Sequence, residues 1–176
     1  MGGASQVERP RDERFRSEVP SDRSIESLSG SEFDTLCADA TTFFSQPALR
    51  PDMCRFSALV ASAFRSSTDA ELQMTCSSLY AECLNAAPDV TMCDGAQELA
   101  MCTATVSELA ACLGSWADQI HSLVSDAPDC SAVRFVDFTG KHGEWGETSR
   151  FSSTESCQTY QTKCSGRSAA DVEFVR

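Results

Sequence analysis

Ten cysteines in a chain of 176 residues constrain this sequence more than any other feature. Cys37, Cys54, Cys76, Cys83, Cys93, Cys102, Cys112, Cys130, Cys157 and Cys164 are separated by 16, 21, 6, 9, 8, 9, 17, 26 and 6 intervening residues, so no C-x-x-C pair exists. Metal sites and thiol redox centres leave such a spacing signature, and the two histidines, His121 and His142, stand alone. Thiols at this density are a hazard in a reducing cytosol, whereas an even number allows complete pairing outside it. The composition therefore predicts five disulfides and an extracellular, cell-surface or periplasmic location.

The ends of the chain are read in the same light. No run of uncharged apolar residues is long enough to span a membrane, and MGGASQVERPRDERFR lacks the apolar core of a signal peptide. An exported protein would then have had its signal peptide removed, with Met1 in its place. The Gly/Ser-rich start also suits a lipoprotein whose native precursor carried a lipid anchor at its N-terminus. Residues 1–30 mix charges with Ser and Pro and show no period, which predicts a disordered tether.

Charge excludes some partners. Residues 31–130 hold three Arg against fourteen acids, so nearly all of the net charge of −12 lies there. Such a field repels nucleic acid phosphates and anionic lipid headgroups.

Hydrophobic period sets the fold class. From Ser31, read as an N-cap, the residues Phe33, Leu36, Cys37, Ala40, Phe43 and Phe44 trace one helical stripe that ends at Gln46-Pro47. A second stripe opens at Pro51 and runs through Met53, Cys54, Phe56, Leu59, Val60, Ala63 and Phe64. The third begins at the capping box Thr68-Asp69-Ala70-Glu71 and follows Leu72, Cys76, Leu79, Tyr80, Cys83 and Leu84 to Ala87-Pro88. A short helix is expected from Asp94 to Met101. The longest starts near Thr103 or Thr105, with Leu109, Cys112, Leu113, Trp116, Ile120, Leu123 and Val124 on its face. Beyond Cys130 the period fades: SAVRFVDF alternates as a short strand does, KHGEWGE reads as a loop, residues 153–163 as a short helix and DVEFVR as a strand-like tail. The expectation is an all-α, disulfide-stapled bundle of about four helices: a tether at 1–30, an acidic cysteine-rich helical domain at 31–130, and an irregular C-terminal segment at 131–176 packed on it or linked to it.

Cysteines replace ordinary apolar residues in these stripes, which places their partners on neighbouring segments. Cys76 and Cys83 are seven residues apart, about 10.5 Å along a helix and beyond the span of one disulfide. An antiparallel turn around Pro88 would pair Cys83 with Cys93 and Cys76 with Cys102. Cys37, Cys54, Cys112 and Cys130 would share two more bonds, and Cys157 would meet Cys164 in a turn. Many other arrangements satisfy the same count.

Two resemblances follow from the spacing. The C-x9-C pairs Cys83 to Cys93 and Cys102 to Cys112 resemble the twin C-x9-C hairpin of mitochondrial intermembrane-space proteins, but Ala87-Pro88-Asp89 interrupts the first. CSSLYAEC at 76–83, Cys93, CTATVSELAACL at 102–113 and Cys130 resemble the cysteine-rich exported proteins and lipoproteins of myxobacteria and related soil bacteria. The second resemblance covers roughly residues 31–132 and implies export and a lipid anchor, without an activity.

Catalytic signals are sparse. His121 falls on the polar border of the longest helix, and His142, beside Glu144, Trp145 and Glu147, reads as part of a surface turn. Asp126 and Asp129 flank Pro128 as a solvated helix end would. No G-x-S-x-G, H-E-x-x-H or phosphate-cradling glycine loop occurs. The sequence thus predicts no catalytic residue, metal or cofactor, and a non-enzymatic structural or protein-interaction role. The alternative is a carrier of a small apolar ligand or lipid, with Phe43, Phe44, Phe56, Phe64 and Trp116 lining its cavity.

Overall fold

Ser or Thr followed three residues later by Glu occurs at the start of three helices, and there the backbone does what that spacing favours. In the computed structural model, which describes residues 14–87, 101–138 and 154–164, α1 spans Gly30–Phe44, α2 Arg50–Arg65, α3 Asp69–Asn85, α4 Val106–Asp126 and α5 Glu155–Cys164. Short 3-10 helices occupy Ile25–Ser27 and Phe135–Phe138. Ser29 accepts from the Glu32 N–H and Glu32 accepts from the Ser29 N–H, closing a capping box on α1. The cap expected at Ser31 therefore lies two residues earlier, because Glu32 reaches Ser29. Thr105 and Glu108 form the same box on α4. On α3, Thr68 accepts from the Glu71 N–H, while Glu71 reaches one residue farther back to the Ser67 N–H and hydroxyl. These bonds stabilise the ionised carboxylates, so Glu32 and Glu71 are both held below the ordinary glutamate range.

α4 is the spine of the core. Val106, Cys112, Leu113, Trp116, Ala117, Ile120 and Val124 are buried along it, and α2 packs against both α4 and α3. α1 joins through its last turn, where the Phe44 ring lies edge-on to Trp116 at 5.5 Å and Phe43 meets Phe15 at 5.7 Å. Charged side chains close the bundle. Arg50 on α2 donates to the carbonyls of Cys83 and Ala86, satisfying the C-terminal end of α3. Arg55 does the same for α4 through the Ala127 carbonyl at 2.8 Å and pairs with Asp129 at 3.1 Å.

Two expectations about the flanks are corrected. Residues 14–28 do not behave as part of a tether: Phe15, Val19 and Ile25 are buried in the core. The backbone there completes α4. The N–H groups of Val106 and Ser107, orphaned at the first turn of a helix, donate to the carbonyls of Arg23 and Ser21 at 3.0 and 2.8 Å. Ile25 and Glu26 in turn donate to Ala104 and Cys102, around a single antiparallel bridge between Ser24 and Thr105. Polar composition concealed this because three apolar anchors, widely spaced, show no period. Residues 1–13 lie outside the described part.

The second correction concerns SAVRFVDF, which forms turns and a 3-10 helix instead of a strand. Two of its backbone groups bond to α3: Gln73 donates to the Val133 carbonyl at 3.1 Å, and Asp69 accepts from the Phe135 N–H at 2.9 Å. Among the described residues there is no strand. The helix expected near 153–163 is α5, packed on α4. The remaining expected elements, the Asp94 helix up to residue 100, KHGEWGE and DVEFVR, fall outside the described residues.

Candidate functional site

The cysteine stripes build a covalent frame. Four disulfides join Cys54 to Cys83, Cys76 to Cys130, Cys102 to Cys164 and Cys112 to Cys157. Cys37 is disulfide-bonded too, and Cys93 lies outside the described residues. Each bond has a mechanical meaning. Cys54–Cys83 ties the start of α2 to the end of α3, and Cys76–Cys130 ties α3 to the segment after α4. The other two fasten α5, one to the strand-like residues before α4 and one to α4 itself.

This connectivity overturns the pairings expected from spacing. Cys83 meets Cys54 and not Cys93, and Cys76 meets Cys130 and not Cys102. Cys54, Cys112 and Cys130 each find partners outside the group of four they were assigned to. Cys157 and Cys164 do not meet at all, because both stand on one continuous helix. The axial rise that separates Cys76 from Cys83 separates this second seven-residue pair equally. Adjacency of helices, which spacing does not encode, chose the partners.

α5 differs from the other helices in what holds it. It has ten residues, and only Cys157 and Tyr160 are buried. Isolated helices shorter than about 12–15 residues are marginal in water, so its own propensity does not fix it. Its polar ties run antiparallel along α4: Thr154 with Ser115 at 2.8 Å, Lys163 with Glu108 at 2.5 Å, and the Lys163 carbonyl with the Thr103 N–H at 3.0 Å. Lys163 is the main cause of the lowered Glu108 ionisation, followed by the Thr105 backbone. Burial pushes the Tyr160 phenol up to about 12.

The singled-out polar residues separate. His121 sits half-exposed on α4, as its position on the polar border suggests, and its Nδ1 lies 2.6 Å from Asp52 Oδ2 on α2. Sequence reading missed Asp52 because the contact links positions 69 residues apart. Asp129 is exposed and engaged by Arg55. His142 is outside the described residues. Among the described residues, no cluster of three His, Cys, Asp or Glu side chains is placed to hold a metal ion, and no helix is long and apolar enough to cross a membrane.

The aromatic residues also divide. Phe43, Phe44, Phe56 and Trp116 are buried, with the Phe43 and Phe44 rings packed at 4.9 Å. Phe64, expected beside them, is 83% exposed. It follows the buried Ser62 by two residues, about 200° around the helix, and so falls on the opposite face of α2. Met101, Met74 and Val136 are likewise mostly exposed. No protein-family model, no curated protein and no solved structure matches the chain.

Proposed function

We propose that this chain is an exported protein that acts without catalysis, by contact with another protein, in an oxidising compartment. One observation carries the reading: four disulfides that a reducing cytosol would not maintain tie α2 to α3, α3 to the segment after α4, and α5 both to α4 and to the residues before it. A small domain stapled in this way keeps its shape while presenting a surface, and exposed apolar side chains such as Phe64, Met74 and Met101 supply contact area. The resemblance to cysteine-rich exported proteins of myxobacteria agrees with this and adds a lipid anchor in the precursor.

The test is fractionation of cells producing the protein from its native gene, followed by non-reducing peptide mapping of each fraction. Recovery in the envelope or medium with disulfides formed is expected, and a reduced protein confined to the cytosol would end the proposal. Photo-crosslinking from Phe64 in the envelope fraction then reads the contact role, with one recurrent protein adduct expected. A co-purifying lipid in native mass spectrometry, with no protein adduct, would replace the contact role by that of a carrier.

A further inference from the structure

We infer that α5 is a cover released by thiol reduction, opened first at Cys102–Cys164 and shed from α4 when Cys112–Cys157 follows. This goes beyond the contact role and does not depend on it, because it rests on how α5 is attached.

Three observations place the switch here. α5 buries only Cys157 and Tyr160, so the two disulfides replace the apolar stripe that holds α4. The two bonds differ in access: Cys164 is partly exposed, whereas Cys112 and Cys157 are fully buried between α4 and α5. The other two described disulfides release nothing comparable. Cys76 and Cys130 are both buried, and opening Cys54–Cys83 leaves α2 and α3 joined through residues 66–68.

The chemistry is ordinary exchange with a dithiol reductant. Its thiolate attacks Sγ of Cys164, the sulfur–sulfur bond breaks, and Cys102 leaves as a thiolate that takes up a proton. The second thiol of the reductant resolves the mixed disulfide, freeing Cys164 and leaving the reductant oxidised. Two electrons and two protons are consumed at each bond. With its C-terminal turn untied, α5 retains the Lys163–Glu108 and Thr154–Ser115 contacts, both at least partly exposed. Lifting that turn admits the reductant to Cys157, and the second bond opens in the same way. The face of α4 around Glu108, Cys112 and Ser115 is then uncovered.

Graded reduction of the full chain with dithiothreitol tests the order, with thiol alkylation read by peptide mapping and backbone opening read by hydrogen exchange. Alkylation of Cys102 and Cys164 is expected to precede that of Cys112 and Cys157. Exchange protection of residues 155–164 should then fall by about 100-fold or more while α2 and the buried face of α4 stay protected. In C102A/C164A the lag before Cys112–Cys157 opens should vanish. Protection of α5 that persists after all four cysteines of its two disulfides are alkylated would overturn the inference, as would simultaneous opening of every disulfide with global unfolding. If the variant does not fold, the order of alkylation and exchange in the unmodified chain decides by itself.

Discussion

α4 and α5 lie side by side and share a disulfide, yet they are held by different physics. α4 has 21 residues, a capping box and seven buried side chains, so it belongs to the core by its own pattern. α5 has ten residues and two buried side chains, one of them a half-cystine. Remove the sulfur bonds and α4 still has a stripe to bury; α5 has Tyr160 and a few polar contacts. A disulfide at a helix that packs well adds stability by restricting the unfolded chain. A disulfide at a helix that packs poorly decides whether the helix is there at all.

The largest break in this contrast is expected at Trp116, which α1 contacts through Phe44. Trp116→Ala should cost about 3–5 kcal/mol in urea unfolding with all disulfides intact, because it removes the widest side chain of the α4 stripe. A loss below about 1 kcal/mol would show that covalent ties, and not the stripe, hold α4 as well.

Tyr160 provides the matching test on α5. Its phenol ionises at about 12 when folded against 10.0 ordinarily, so the unfolded chain loses its proton first as pH rises. The stabilisation is fully present below pH 10 and falls away through about 12. A difference of that size corresponds to about 2–3 kcal/mol. Absorbance titration of the phenolate, compared with Tyr160→Phe, reads it; a phenol titrating near its ordinary value would show that α5 does not bury this residue.

A smaller effect separates the cap of α4 from its tie to α5. Thr105→Ala should cost about 1 kcal/mol in chemical denaturation by removing the acceptor for the Glu108 N–H. Glu108 acts on both helices through Thr105 and Lys163, and its carboxyl is lowered from 4.5. Its stabilisation is present above the ordinary value and disappears as pH falls through the lowered folded value. Glu108→Gln should flatten that acid-side dependence in a melting series, and a variant as acid-sensitive as the original would remove Glu108 as its source.

The smallest change sharpens the contrast in the opposite direction. Gly114 lies inside α4, and a Cβ added there meets no atom within 4 Å. Gly114→Ala should stabilise by about 0.5–1 kcal/mol, visible as a higher denaturation midpoint, since the glycine loses backbone freedom for no packing gain. Unchanged exchange of α5 in the same variant would show that the added stability stays within α4.

How much of this was legible follows from range. Thr68 and Thr105 were readable as starts because a cap involves residues three apart, and Ser29 was readable by the same rule although the stripe drew attention to Ser31. The stripes of α1 and α4 were readable because burial on one side imposes a period of 3.6. Phe15, Val19 and Ile25 were not, since residues anchored singly by an irregular backbone leave no period. The candidate site was the least legible part: ten cysteines announced disulfides, while every proposed partner was wrong among the bonds described. The Asp52–His121 contact and the attachment of Gln73 and Asp69 to residues 133–135 likewise join distant positions.

The sequence by itself determined a helical chain, closed at its starts by local hydrogen bonds and dense in cysteine. Only the tertiary structure decided which sulfur meets which, which face of α2 carries Phe64, and that residues 14–28 complete α4. The division is physical: caps and stripes are set by neighbours within a turn or two, whereas a disulfide forms only where packing brings two Cα atoms within several ångströms.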